Sequence, residues 1–199
     1  MAEEEVSFEA IERALKRTSH VLEGEGIPFL LAGSLAGWAR GGPETRNDLD
    51  LILRPDDAER ALEALARDGM PTERPPEQWL FKAWDGDVLI DLIYEILQIA
   101  DETGTTERHT VDDELFERAE DLKVFGVLMQ VMTLEDLMVT KLLALEPNAL
   151  DYGGSLAVAR SLREEIDWQS VRDRTAASPY AAAFFTLLEE LGVVERDPA

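Results

Sequence analysis

The tripeptide Asp48-Leu49-Asp50, set into the apolar alternation Leu49, Leu51, Leu53, is the feature that most constrains this chain. Side chains of an extended segment alternate between its two faces, so both carboxylates share one face and the three leucines share the other. The leucine face can be buried. The opposite face must carry two like charges side by side, which is unfavourable unless a cation or a strongly donating ligand offsets the repulsion. A divalent metal is the simplest such partner. Upstream, the apolar approach Leu30-Leu31-Ala32 runs into Gly33-Ser34, and thirteen residues separate that pair from Asp48. A glycine there lets backbone N–H groups approach phosphate oxygens, a helix starting there favours anions, and hard oxygen ligands suit Mg²⁺. The plainer reading stays open: an ordinary strand-to-helix turn, and an Asp-x-Asp pair arising by chance among 42 acidic residues.

Composition narrows the chemistry. With no cysteine there can be neither disulfides nor thiolate metal sites, and two well-separated histidines argue against a His-based zinc site, so any metal must be held by carboxylates. At 199 residues and 45% hydrophobic content, the chain fits one domain or a core with a helical extension. No run of eighteen apolar residues exists, and MAEEEVSFEA lacks the features of a signal peptide, so a soluble cytoplasmic protein with no membrane role is expected. The net charge of −23 opposes broad contact with nucleic acid, because polyanion binding rests on Lys and Arg neutralising phosphates.

Taken in order, Phe8, Ile11, Leu15 and Leu22 predict a helix over 7–23 with Ser7 as N-cap, and His20 reads as a surface residue. A strand over 28–32, a short helix over 34–40 and a loop over 41–47 follow. Pro55-Asp56-Asp57 starts a helix with an Ala58, Leu62, Leu65 stripe that Gly69 stops. The runs QWLFKAW and DVLIDLIYEIL about Asp85-Gly86 predict a hairpin. Asp91 interrupts the second run, and an isolated carboxylate there needs a cationic or metal partner; a structural salt bridge would also serve. Glu95, four residues on, is the reserve candidate. Residues 101–120 are polar and helix-compatible towards their end, with His109 in a loop, and LKVFGVLMQVMT reads as one strand with a glycine break. Thr133-x-x-Asp136 resembles a capping box opening a helix on which Lys141 falls on the apolar stripe, either snorkelling or serving a site. Asp151 is open between a loop or N-cap role and a place in a site. Trp168 reads as packing, and a last helix spans 179–191. The pattern predicts an α+β fold, a mixed β-sheet flanked by helices with a helical C-terminal part: a core over 1–131 and a helical region over 132–199 packed on it.

Gly33-Ser34, the spacing and Asp48-x-Asp50 resemble the signature of the nucleotidyltransferase-fold superfamily, the polymerase-beta-like enzymes. The resemblance spans about residues 28–168. It implies that Gly33 and Ser34 hold the triphosphate of an NTP, that Asp48 and Asp50 bind Mg²⁺ (or Mn²⁺), and that Asp91 is the third carboxylate, a base or a further metal ligand. V-M-T-x-E-D-L-x-x-x-K, ending on Lys141, is similar to a motif of toxin-like and uncharacterised bacterial members, in which the lysine meets phosphates. A similar downstream acidic position implies Asp151. Members often carry Thr two places before the first aspartate; here that place holds Arg46, either a phosphate contact or a surface residue. The implied activity is transfer of an NMP from an NTP to a hydroxyl acceptor (a tRNA 3′ end, a small molecule or a protein) with release of pyrophosphate. For a toxin-like member, a cognate antitoxin would be a partner. The alternative is a non-catalytic module that senses a nucleotide or binds a protein on the same fold.

Overall fold

Ser7 accepts a hydrogen bond from the Ala10 amide and opens helix α1 (Phe8–Gly24), whose buried stripe carries Ile11, Leu15 and Leu22. A computed structural model of the chain describes residues 6–45 and 48–195. After α1 come β1 (Leu30–Leu31), α2 (Gly33–Ala39), β2 (Leu49–Ile52), α3 (Pro55–Arg67), β3 (Thr72–Glu73), β4 (Leu80–Asp85) and β5 (Val88–Ile93). A second run follows: β6 (Glu95–Ile99), β7 (Thr106–Thr110), α4 (Asp113–Arg118), β8 (Glu120–Val124) and β9 (Val127–Val131). The chain closes with α5 (Leu134–Leu143), α6 (Gly153–Leu162), α7 (Trp168–Arg174) and α8 (Pro179–Glu190).

Among the described residues seven strands form one mixed sheet in the order β3-β4-β5-β2-β1-β9-β8, and β6 pairs with β7 apart from it. The β2–β5 and β1–β9 pairs are parallel, whereas β1 runs antiparallel to β2. Alternation along the strands sends Leu49, Leu51, Ile90 and Leu92 to one face, where α1 and α3 bury them. Leu30, Ala32 and Ile52 face the other way and meet Leu137, Met138 and Phe184 from the C-terminal helices. The mixed sheet flanked by helices is thus the α+β architecture expected. Among the described residues no helix is long and apolar enough to cross a membrane.

Three local expectations are corrected. The run from Val88 does not continue as one strand through Glu95: both Tyr94 and Glu95 donate backbone N–H groups to the Trp79 carbonyl, and the chain turns into the separate β6–β7 pair. Glu95 therefore leaves the strand of Asp91, and His109 lies exposed in β7 opposite Ile96 instead of in a loop. LKVFGVLMQVMT is not a single strand but a hairpin, with Val124 opposite Val127. Its two turn residues both have positive φ, Phe125 at 50° and Gly126 at 86°. A phenylalanine there is strained, and packing offsets the cost: its ring stacks on Trp38 at 4.8 Å and meets Phe8 edge-on at 5.1 Å.

Candidate active site

Register brings the acidic residues together. Asp50 on β2 is directly opposite Asp91 on β5, and Asp91 is in turn opposite Lys82 on β4. Carboxylate, carboxylate and ammonium therefore stand in a row across three strands on one face, with exposed Asp48 just before β2. Leu49, Leu51 and Leu53 are fully buried beneath them, each contributing about 1.5–3 kcal/mol. That burial holds the strand in place against the repulsion above it.

The electrostatics show the strain. Burial pushes the Asp50 carboxyl up to about 7, with Asp91 and Asp48 adding to the rise and Lys141 opposing it. Asp91 is pushed up to about 6, again by burial first, with Lys82 opposing and Asp48 adding. Asp48 rises through burial, opposed by Lys82. Half-buried Lys141 of α5 lines a cavity together with Asp50; burial lowers its pKa while the Asp50 charge holds it up. Coupled this closely, the carboxylates titrate as a group. Among the described residues, one oxygen of Asp91, Oδ1, is buried without a hydrogen-bond partner. Groups of this kind are rare and call for a missing ion or donor. Among the described residues, however, no three His, Cys, Asp or Glu side chains are arranged as a ready-made metal cage. The donors have the right chemistry for a hard cation, and closing round one requires side-chain adjustment.

Gly33 is required by this packing. Its φ is +60°, and a Cβ built on it would overlap the Asp50 carboxylate. Ser34, half-buried in the first turn of α2, lines a cavity of about 220 Å³ with Thr45, Lys141 and Gly154. A second cavity of about 240 Å³ also has Lys141 in its lining, with Gly33 and Asp50. Asp151 is exposed and accepts a hydrogen bond from the Gly153 amide at 2.8 Å, where α6 begins. Arg46 lies outside the described residues.

Two features were missed in the sequence. Lys82 was within reach, because a two-residue turn at Gly86-Asp87 pairs Asp85 with Val88 and hence Lys82 with Asp91. Asp136 was read only as a capping residue. Thr133 Oγ1 does cap its amide at 3.2 Å, but its carboxylate, 1% exposed, also accepts from Arg118 at 3.1 Å and Arg174 at 2.5 Å. Burial raises its pKa, and these hydrogen bonds outweigh that and lower it. This cluster ties α4, α5 and α7 together.

No family model matches the sequence, and no curated protein sequence does. Solved structures do match. The crystal structure of ANT(2″)-Ia in complex with adenylyl-2″-tobramycin aligns with a TM-score of 0.61 at 14% identity, over 87% of this chain and 98% of that one. The solution structure of the antibiotic-resistance factor ANT(2″)-Ia gives 0.63 at 16% identity, over 94% and 98%. A candidate nucleotidyltransferase from Thermotoga maritima gives 0.56 at 18%, over 82% and 97%. At such identities what is shared is the fold, and this chain has the nucleotidyltransferase fold.

Proposed function

We propose that the protein is a divalent-metal-dependent nucleotidyltransferase that moves a nucleoside monophosphate from an NTP to a hydroxyl acceptor and releases pyrophosphate. The observation that supports this best is the Asp50–Asp91 pair on adjacent strands, with one buried Asp91 oxygen unpartnered among the described residues, on a fold shared with ANT(2″)-Ia. Asp48, Asp50 and Asp91 would hold Mg²⁺ or Mn²⁺, which when bound supplies neutralisation of the α-phosphate charge. Gly33, Ser34 and Lys141 cradle the outer phosphates. The acceptor oxygen attacks the α-phosphorus as the bond to the β-phosphate oxygen breaks, and the hydroxyl proton passes to Asp91. Lys82 and Lys141 flank the carboxylates and limit their mutual repulsion.

The charge of −23 favours a small cationic acceptor over tRNA, and ANT(2″)-Ia is solved with adenylyl-2″-tobramycin, a small molecule that carries an adenylyl group. Each α-labelled NTP is incubated with Mg²⁺ and, separately, tobramycin, bulk tRNA and a bacterial extract, with Asp50→Asn as control. Label should enter a small-molecule fraction with the wild type only. Label in tRNA would overturn the acceptor class, and no transfer to anything would overturn the enzyme.

A further inference from the structure

The two cavities that meet at Lys141 differ in character. On the Ser34 side the lining includes Thr45 and the Gly154 backbone, with Glu44 at the rim. On the Asp50 side the wall is almost wholly aliphatic, built by Ile52, Ile93, Ile96, Met132 and Leu137. If the α-phosphate sits between Asp50 and Lys141, the outer phosphates and the nucleoside must leave in opposite directions, and polarity sorts them. We infer that the aliphatic cavity receives the nucleobase, and that it does so by shape with little discrimination among the four bases; the inference rests on the nucleotidyltransferase reading.

Size agrees. At about 240 Å³ the cavity falls short of the roughly 300–1,000 Å³ of sites for drug-sized ligands, and suits one flat ring system instead of a whole nucleotide. Readout of a base needs fixed donors and acceptors along its edges. Among the described residues Thr140 carries the one side-chain hydroxyl on this wall, and it is already directed to the Asp136 and Leu137 carbonyls of its own helix, at 2.9 and 3.0 Å. Asp50 and Lys141 lie at the phosphate end. A pocket that contacts its ligand through methyl and methylene groups separates similar ligands weakly, whereas one with committed hydrogen-bonding groups rejects the wrong ligand strongly.

Thermal melting is the assay. ATP, GTP, CTP, UTP and inorganic tripolyphosphate are each titrated with Mg²⁺ against the wild type, Ala144→Trp and Ile96→Ala. Ala144 is exposed at the rim of the cavity, so its replacement by Trp obstructs the entrance without touching the core, and Ile96→Ala removes part of the wall. The four NTPs should bind the wild type within about tenfold of one another, as an apolar pocket allows. Either variant should weaken every NTP by about tenfold, the loss expected when a buried ring forfeits its apolar contacts, and leave tripolyphosphate unchanged. A wild-type preference of a hundredfold or more for one base, on the order expected of hydrogen-bonded readout, would overturn the inference. So would NTP affinities that neither variant alters, or a loss shared equally by tripolyphosphate; in both cases the enzyme reading survives. Wild-type protein that binds neither NTPs nor tripolyphosphate would overturn both.

Discussion

Replacing Asp50 with Asn should stabilise the ligand-free protein, and only above a defined pH. Burial and the neighbouring carboxylates lift this group from the ordinary 3.8 to about 7, so the folded chain keeps a proton that the unfolded chain gives up. Stability therefore falls as pH rises from about 4 to about 7 and stays low above that. The full displacement corresponds to about 4 kcal/mol at ~1.4 kcal/mol per pH unit. Asn is nearly isosteric and cannot ionise, but it leaves Lys141 without its charge partner and the Asp91 coupling is shared, so about half of that, ~2 kcal/mol, is the expected gain near pH 8. For a chain of this size the melting temperature should rise by about 4–8 °C. The assay is denaturant and thermal unfolding of both proteins in EDTA, at about pH 5 and about pH 8, with the advantage of the variant growing between the two. An advantage equal at both pH values, or a variant less stable near pH 8, would refute the claim that Asp50 is held against its charge.

Gly33→Ala should cost about 1–3 kcal/mol in urea unfolding, because the new Cβ meets the Asp50 carboxylate at a φ of +60°, and it should remove the melting shift with NTP and Mg²⁺. Lys141→Met removes the cation that opposes the Asp50 charge, so it should lower unfolding stability near pH 8 and weaken tripolyphosphate binding, read by the same melting titration. Asp136→Ala strands Arg118 and Arg174, both partly exposed, and should cost about 2–3 kcal/mol in urea unfolding. Because its folded pKa is lowered, the contribution of Asp136 is present above about 4 and is lost as pH falls through the folded value, so wild type and variant should converge in acid.

The carboxylate row was legible because strand alternation is a strong local rule: Asp48-x-Asp50 over Leu49 and Leu51, and Asp91 between Ile90 and Leu92, each declare which face is buried. The caps at Ser7 and Thr133 were legible for the same reason, since their hydrogen bonds close within three residues. What escaped depended on distant partners. Phe125 accepts a positive φ only because Trp38 and Phe8 are there to pack against it. Glu95 breaks the strand by sharing the Trp79 carbonyl with Tyr94, whose own carbonyl accepts from Val111, and Asp136 is held by arginines 18 residues before it and 38 after it. No local pattern encodes those contacts.

The most direct test of the central claim is a crystal grown with Mn²⁺ and a non-hydrolysable NTP analogue, read by anomalous scattering. The account predicts a manganese peak ligated by both Asp50 and Asp91, with the outer phosphates at Gly33, Ser34 and Lys141. A peak elsewhere on the protein, or nucleotide bound while Asp50 and Asp91 ligate no metal, would contradict it.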